Sequence, residues 1–434
     1  MTAKKKWKNW SGIVQFTPEK VYFPTSESEI VKIIKKCAVK NRKIRIIGSA
    51  HSWNPLFETQ MALVSLDKYQ GIESIDLEKK QATVYAGTKI KYLGELLFEN
   101  GLAMENLGDI DVQSIAGAIG TGTHGTGINL GIIPTQVVGL SLVTASGEVL
   151  ECSAEKNPHI FKAAQLSLGT LGVISKITIQ CVPAYKLHFV SNKENFASCL
   201  NNLDEYIANN RNYEFYWFPH TKTVQNKFSN ISQEAVKPYT KVNYLNDLVL
   251  ENMVLGAVSS MTRVVPAMSA SVAKLSASLI GETNKLDWSH KVYAMPRLVK
   301  FNEMEYNVPL ESFKDICEEI VDCIDRYRFQ VHFPTENRFI KGDDIYLSPC
   351  YGRDSAHISV HVFKGKPYKK YFAALESIFR NHNGRPHWGK LHTLKAEDLC
   401  ELYPKWNAFC DIRRQLDPTN LFLNGYLQEL LEKE

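Results

Sequence analysis

The segment that begins at residue 43 most restricts what this chain can fold into. Residues 43–47 are mostly isoleucine, which predicts a short buried strand, and the strand pattern stops at Gly48-Ser49-Ala50. Three small residues in a row leave successive backbone N–H groups uncovered, and such a turn can wrap an anionic group such as a pyrophosphate. His51 follows the turn directly. Taken alone, these residues fit a phosphate-binding turn and an ordinary surface turn equally well.

Two further glycine-rich turns favour ligand binding. Residues 106–127 contain the pattern G-x-G-x-x-G at Gly120, Gly122 and Gly125, which is typical of Rossmann nucleotide sites. We reject a Rossmann site because no clear strand leads into the pattern and no crossover helix follows it. The segment instead has few side chains that would hinder close backbone approach by a large flat ligand. A third turn at residues 167–172 enters a predicted strand, and three such turns in one domain exceed chance.

Hydrophobic periodicity predicts an α+β fold. Ser26 and Glu29 have capping-box spacing ahead of apolar residues at helical period, which predicts a helix over residues 26–40. The other elements predicted before residue 184 are strands at 62–66, 72–75, 82–86 and 174–182, a helix at 91–100, and a hairpin of 137–144 with 148–152.

A second domain is predicted to start at residue 184, because aromatic residues become more frequent there and glycines less frequent. The later part of this domain predicts a sheet with helices on one face. Its strands are predicted at 302–308, 331–333 onward, 344–348 and 356–363, and its helices at 311–327 and 368–381.

Composition excludes several classes of protein. The 434 residues include 51 basic and 46 acidic side chains, so a net charge of +5 gives no sign of nucleic-acid binding. Nine cysteines without metal-ligand spacing indicate reduced thiols in a cytoplasmic protein with no metal site. No secretory signal is recognised, and charges interrupt the most apolar stretch, 248–280, which predicts two buried helices and no membrane span. An obligate membrane partner is therefore not expected, although peripheral membrane association is left open.

Six motifs, in the same order along the chain, resemble the aldonolactone and alditol oxidases of the vanillyl-alcohol-oxidase superfamily of FAD enzymes. They are Gly48-Ser49-Ala50-His51-Ser52, residues 106–127, residues 167–172, Glu336-Asn337-Arg338, residues 347–355, and Pro386-His387-Trp388-Gly389-Lys390. The resemblance implies a two-subdomain FAD-binding domain of the PCMH type over residues 1–183. It also implies a cap domain of mixed sheet backed by helices over 184–415, and a tail, 416–434, that packs back on the FAD domain.

The resemblance also implies which residues bind FAD. His51 matches a histidine that is joined covalently to the 8α-methyl group of FAD in relatives that carry it, and Ala50 stands where a glycine is commoner. Lys390 matches a lysine near the flavin, where a fixed cation would stabilise negative charge on the reduced ring. The complete predicted cofactor set is Ile47, Gly48, Ser49, Ala50, His51, Ser52, Asn106, Gly108, Asp109, Ser114, Gly117, Gly120, Thr121, Gly122, His124, Gly172, Val173, Ile174 and Lys390.

The predicted substrate site centres on Glu336 and Arg338, which alternate along a strand and therefore point to one face. By resemblance this pair addresses a polyol or a lactone, and the residue that accepts the substrate proton is left open among Glu336, Lys390 and His361. Four residues depart from the family pattern. Asp109 stands where relatives commonly have serine, and Glu303 stands where they have glutamine. Ser359 and His361 stand where alditol oxidases have histidine and threonine. The predicted catalytic set is Glu336, Arg338, Lys390, His361, Ser359, Glu303 and Asp109.

The activity implied by the resemblance is hydride transfer from a CH–OH carbon of a sugar-derived aldonolactone to flavin N5, followed by reduction of dioxygen to hydrogen peroxide. Gly108 is expected to leave room for dioxygen, because glycine lacks the Cβ that an alanine would place there. The alternatives are an alditol oxidase, a dehydrogenase with another electron acceptor, and a flavoprotein that has lost turnover.

Overall fold

The computed structural model describes residues 5–237, 255–294 and 299–433. The amino-terminal part contains a parallel three-stranded sheet and an antiparallel five-stranded sheet. The strand order of the first sheet is Lys20–Tyr22, Ala62–Ser65, Ile44–Ile47, and that of the second is Val149–Ser153, Val137–Val143, Val173–Gln180, Gln81–Tyr85, Ile72–Asp76. Two-stranded pairs join Trp7–Lys8 to Gln15–Phe16 and Leu102–Ala103 to Val182–Pro183.

A larger antiparallel sheet of eight strands follows. Its strand order is Thr283–Trp288, Lys186–Asn195, Thr223–Ser232, Asn212–Trp217, Thr335–Ile340, Ser355–Phe363, Phe301–Pro309, Arg385–Pro386. The helices are Glu27–Val39, Ile90–Glu99, Ile115–Gly120, Pro158–Ala164, Phe196–Asn201, Leu203–Asn209, Leu255–Val264, Ser269–Leu279, Ser289–Tyr293, Phe313–Tyr327, Lys369–Asn381, Ala396–Leu402, Trp406–Leu416 and Gly425–Leu431. Among the described residues, none of these helices has the length and apolar character needed to span a bilayer.

The eight-stranded sheet is covered by helices on its apolar face. Phe313, at the start of the helix Phe313–Tyr327, contacts Phe339 with ring centroids 5.2 Å apart. Phe379 of the helix Lys369–Asn381 stacks on Tyr306 of the sheet at 5.1 Å. These contacts confirm the predicted α+β class and the sheet backed by helices.

One predicted strand in this region is wrong, and another begins later than predicted. Residues 344–348 form turns, because the Asp343 carboxylate accepts hydrogen bonds from the Ile345 N–H at 2.9 Å and the Ser348 hydroxyl at 2.6 Å. Residues 331–333 lie outside the sheet, and the strand begins at Thr335, after Pro334.

The prediction for the apolar stretch 248–280 is also wrong in part. Residues 248–254 lie outside the described residues, and the rest forms the two predicted helices, Leu255–Val264 and Ser269–Leu279. These helices are not buried as predicted, since Val264 is 79% exposed and Leu279 53% exposed.

Several of the helices were not predicted from sequence, and one of them, Ile115–Gly120, lies inside the second glycine-rich segment. Ser114 caps it by accepting a hydrogen bond from the Gly117 N–H at 3.3 Å. The helix Glu27–Val39 begins as predicted, with the Ser26 hydroxyl accepting from the Glu29 N–H at 3.3 Å.

Arg45 ties three distant segments together. Its buried guanidinium donates to the Leu56 carbonyl at 2.7 Å and to the Leu168 and Gly169 carbonyls at 2.8 and 3.0 Å. It also donates to the Phe422 carbonyl near the carboxyl terminus. Burial lowers the pKa of Arg45 to about 9, against the opposing effect of Asp417. The domain boundaries after residues 183 and 415 remain predictions, and these contacts support a tail that packs on the amino-terminal sheet.

We predict that Arg45→Met lowers the free energy of unfolding by about 3 kcal/mol, because four carbonyl oxygens, three of them in buried hydrogen bonds, lose a charged donor. Urea denaturation measures this loss. The control is Arg42→Met, whose guanidinium pairs with the exposed Glu19 at 3.0 Å and should contribute less than about 1 kcal/mol. Equal losses in the two variants would contradict a central role for Arg45.

Candidate active site

The second face of the eight-stranded sheet is polar. Strand alternation places Glu336 and Arg338 on this face, and residues directly opposite them on neighbouring strands share it. The row through Arg338 contains Lys227, Glu214, Arg338, His357 and Asn307. The row through Glu336 contains Gln225, Tyr216, Glu336, Ser359 and Glu305. One face of a buried sheet thus collects the groups that can bind a hydroxylated ligand.

Arg338 lies between carboxylates on both sides. Its Nη2 is 2.5 Å from Glu336 Oε1 and 3.7 Å from Asp109 Oδ1, and its Nε is 2.7 Å from Glu214 Oε2. Burial alone would lower the pKa of Arg338, but Glu336, Glu214 and Asp109 outweigh it and raise the pKa well above its ordinary value. The Tyr216 hydroxyl donates to Glu336, so the carboxylate is held from two directions.

Lys390 forms a second buried charge cluster. Its Nζ is 2.5 Å from Glu303 Oε1 and 3.6 Å from Glu305 Oε2, and it lies over the Trp53 ring at 4.5 Å. Burial would lower the pKa of Lys390, but Glu303 and Glu305 outweigh it and raise the pKa. The ammonium group is therefore charged at neutral pH and cannot accept a substrate proton.

Glu305 accepts hydrogen bonds from two histidines. His357 donates from Nδ1 at 3.1 Å, since its Nε2 accepts from the Asn307 amide at 2.9 Å. His124 faces Glu305 through Nε2 at 2.5 Å and the Gly125 carbonyl through Nδ1 at 2.8 Å. Both ring nitrogens of His124 thus face an oxygen atom, and the imidazole is fixed between the Glu305 carboxylate and the glycine-rich segment.

The two His and Glu clusters of this site do not suit a metal ion, although their ligand atoms lie close together. His387 accepts the Gly389 N–H through Nδ1, which leaves the proton on Nε2 and removes the lone pair that a metal would need. Glu303 and Glu336 are already paired with Lys390 and Arg338. In the cluster of Glu303, Glu336 and His361, protein cations therefore already neutralise the carboxylates.

Aromatic side chains line the same cavity beside the polar groups. Trp10, Trp53 and Phe301 contact one another with ring centroids 5.2–5.8 Å apart. Phe333 packs on Phe301 at 5.8 Å and lines the cavity beside His361. The site thus combines an apolar wall with a polar sheet face.

A second cavity runs along the three glycine-rich turns, and both cavities are lined by His51, Ser52, Gln113 and Thr121. Among the residues that the structure describes, no protein acceptor takes the backbone N–H of Ser49, Ala50 or His51. A Cβ added at Gly120 would meet no protein atom within 4 Å and would extend into this cavity. Free N–H groups around a long groove fit the pyrophosphate of FAD, and the joined second cavity offers room for its ring.

His51 lies where the two cavities meet. Burial first, and then the charges of Lys390 and Lys89, lower its pKa to about 4, so the imidazole is neutral at pH 7. Its ring stacks on Trp10 with centroids 5.9 Å apart. Ala50 before it has a φ of +55°, in the left-handed region that favours glycine.

The predicted site residues mostly converge on these cavities. Those on the turn cavity are Ile47, Gly48, Ser49, Ala50, His51, Ser52, Ser114, Gly117, Gly120, Thr121, Gly172 and Ile174. Those on the cavity at the sheet are His51, Ser52, Thr121, Gly108, Asp109, His124, Glu303, Glu336, Arg338, His361 and Lys390.

Four predicted site residues line neither cavity: Asn106, Gly122, Val173 and Ser359. Asn106 bonds to the Leu107 N–H and the Thr126 carbonyl, so it braces both ends of the glycine-rich segment. Val173 and Ser359 are buried within their sheets. Gly122 is in a left-handed turn against Leu166. The roles predicted for these four residues remain predictions.

Sequence reasoning missed several residues of the site, above all Glu305, His357, Glu214 and Tyr216. The sequence does contain a signal for some of them, which is the alternation of polar residues. Polar residues at 303, 305 and 307 and at 357, 359 and 361 repeat with the period of a strand. Lys89 was also missed. Its ammonium group contacts the Ser49 hydroxyl at 2.9 Å and adds a cation beside the first turn.

Two protein-family models and several relatives match this chain over most of its length. The family model for D-arabinono-1,4-lactone oxidase matches residues 177–430, and a model for an FAD-binding domain matches residues 18–153. The L-gulono-1,4-lactone dehydrogenase of Mycobacterium tuberculosis is 36% identical over 425 residues, which cover 98% of this chain and 99% of that protein. The L-gulonolactone oxidase of Mus musculus is 34% identical over 434 residues, covering 98% of each chain.

The fold is also found among solved structures. A crystal structure of cholesterol oxidase from B. sterolicum superposes with a TM-score of 0.85, covering 99% of this chain and 97% of that one. At 19% sequence identity this likeness concerns the fold alone, and it confirms the predicted PCMH-type FAD-binding fold.

We predict that acid destabilises the protein through its buried neutral histidines. Burial is the main cause that lowers the pKa of His332 and His357 to about 3 and that of His387 to about 4. Between these values and the ordinary pKa of about 6.5, the unfolded state binds more protons, so stability falls as pH falls. From about pH 7.5 to about pH 5.5 each histidine should cost about 1.3 kcal/mol.

Urea denaturation at the two pH values measures this loss. His332→Gln, which lies outside both cavities, should reduce the loss by about 1.3 kcal/mol. If the variant and the unaltered protein lose the same stability, His332 is not a source of the acid sensitivity.

Proposed function

Because the chain belongs to the D-arabinono-1,4-lactone oxidase family of FAD-dependent enzymes, we propose that it oxidises a CH–OH carbon of a sugar-derived aldonolactone and uses dioxygen as the electron acceptor. The carbinol loses two electrons and two protons to become a carbonyl, and dioxygen gains both to become hydrogen peroxide. Bound FAD supplies the two-electron carrier between them. The observation that supports this proposal most is the cavity that joins the His51 turn to the buried pair of Glu336 and Arg338.

Arg338 and Glu336 are proposed to hold the substrate. The guanidinium offers a rigid fork of donors for a carbonyl or hydroxyl oxygen, and the Glu336 carboxylate can accept from a neighbouring hydroxyl. Three carboxylates surround Arg338, so its removal would leave several buried negative charges without a counterion. The residue thus serves the fold as well as the substrate.

His361 is the proposed proton acceptor. Its Nδ1 donates to the Pro334 carbonyl at 2.9 Å, which leaves Nε2 as an acceptor at the cavity. Glu303 Oε1 lies 3.4 Å from Nε2 and would stabilise the imidazolium that forms. Lys390 is already protonated and Glu336 is held by Arg338 and Tyr216, so His361 is the best placed of the three candidates.

A dehydrogenase that passes electrons to another acceptor is the second candidate. The Mycobacterium tuberculosis relative is named a dehydrogenase, whereas the Mus musculus relative is named an oxidase. Gly108 supports an oxidase only in part, because a Cβ added there would lie 2.9 Å from the His124 carbonyl oxygen. The glycine therefore has a packing reason that is independent of dioxygen, and Gly108→Ala would also disturb the loop.

We predict that the purified holoenzyme forms peroxide with one or more aldonolactones. A panel of lactones and alditols, read by a peroxide assay and in parallel by reduction of an artificial electron-accepting dye, separates the candidates. Dye reduction without peroxide would identify a dehydrogenase, and turnover with alditols alone would identify a polyol oxidase.

The variant Arg338→Lys tests the role of Arg338 in holding the substrate. Lysine keeps the positive charge but lacks the planar set of donors of the guanidinium group, so the variant should lower kcat/KM about tenfold to a hundredfold.

We also predict that FAD is bound covalently through His51. A neutral, half-buried imidazole at the meeting point of the two cavities would be placed to bond to the 8α-carbon of FAD; one methyl proton and the imidazole proton would be lost, and the two electrons would pass through the flavin to dioxygen. Acid precipitation should leave the yellow colour in the pellet, and His51→Ala should release it into the supernatant. A yellow supernatant from the unaltered protein would contradict the linkage.

A further inference from the structure

Lys390 has a buried counterion of its own. Glu303 and Lys390 approach to 2.5 Å, and the Glu303 side chain is only 4% exposed. Burial would raise the pKa of Glu303, but the charge of Lys390 is the largest opposing cause, and the pKa is held below its ordinary value. Both groups are therefore ionised at neutral pH.

The neighbouring Glu305 does not play this role. Its Oε1 is occupied by His124 and His357, and its Oε2 is 3.6 Å from Lys390, against 2.5 Å for Glu303. His124 Nε2 lies 2.5 Å from Glu305 Oε1, so that carboxylate is held mainly by the two histidines. Glu303 is consequently the carboxylate that balances Lys390.

The charge of Lys390 acts across the cavity toward the first turn. Lys390 lines the cavity that also contains His51, and after burial it is the strongest cause that lowers the His51 pKa. A carboxylate 2.5 Å from the ammonium group turns a single charge into a dipole, whose field falls off faster with distance. Glu303 thus weakens the positive field in the space between Lys390 and His51.

We propose that Glu303 sets the effective positive charge that Lys390 presents to bound FAD and thereby limits how strongly the flavin attracts electrons. Glu303 acts through Lys390 and is a positioning residue of the site. The inference rests on the proposed function in one respect, because it requires the FAD ring to lie in the cavity that Lys390 lines.

Glu303→Gln tests this inference, because glutamine keeps the shape and removes the charge. The readout is a spectroscopic titration of the oxidised holoenzyme with sulfite, an anion whose adduct with bound flavin is stabilised by nearby positive charge. Sulfite should bind at least about tenfold more tightly to the variant. If this variant loses FAD, Glu303→Asn provides the same neutralisation with a shorter side chain.

The matched control is Glu214→Gln, which removes a buried carboxylate from the same sheet face but one that pairs with Arg338 and not with Lys390. Its sulfite affinity should stay within about threefold of the unaltered protein. Unchanged sulfite affinity in Glu303→Gln would overturn the proposal. Weaker affinity would also overturn it, since Glu303 would then serve to hold the ammonium group in place.

The sulfite titration uses no sugar, so the two proposals can fail separately. A protein that binds FAD and oxidises no lactone would refute the proposed function, yet the effect of Glu303→Gln on sulfite affinity would still be measured. A lactone oxidase with unaltered sulfite affinity in the variant would refute the role of Glu303 alone.

Discussion

Charges that are buried on one sheet face must be neutralised on that face, and this constraint shapes the candidate site. Moving an ion out of water costs several kcal/mol unless partners compensate, so isolated charges are not tolerated there. Arg338 is matched by Glu336 and Glu214, Lys390 by Glu303, and Glu305 by His124. Each buried charge therefore has a charged or hydrogen-bonding partner, Arg338 has three carboxylates around it, and a substrate must compete with partners that are already in place.

The same constraint joins the two parts of the chain. His124 belongs to the glycine-rich segment and Glu305 to the eight-stranded sheet, and their 2.5 Å contact spans 181 residues of sequence. Asp109 reaches Arg338 across the same junction. Arg45, in the strand before the first turn, similarly joins distant segments, because it donates hydrogen bonds to the third turn and to the carboxyl-terminal tail. The groove for FAD is thus bounded by segments whose relative placement depends on a few buried polar contacts.

Elements with a local signal were predicted well. The hairpin of Val137–Val143 with Val149–Ser153 was read from two apolar runs around a turn, and the shared face of Glu336 and Arg338 from strand alternation. Elements decided by side-chain bonds to the backbone were missed. Asp343 holds residues 344–348 in turns despite their apolar composition, and Ser114 starts a helix within a segment rich in glycine.

The sequence by itself determined which residue types face the cavity, because a strand sends alternate side chains to opposite faces whatever surrounds it. It also determined the family, through motifs that keep their order along the chain. Only the tertiary structure decided which carboxylate neutralises which cation. Glu214 and Arg338 are 124 residues apart, and no local pattern encodes their 2.7 Å contact. That pairing arises where strands and loops from distant parts of the chain are brought to within hydrogen-bonding distance.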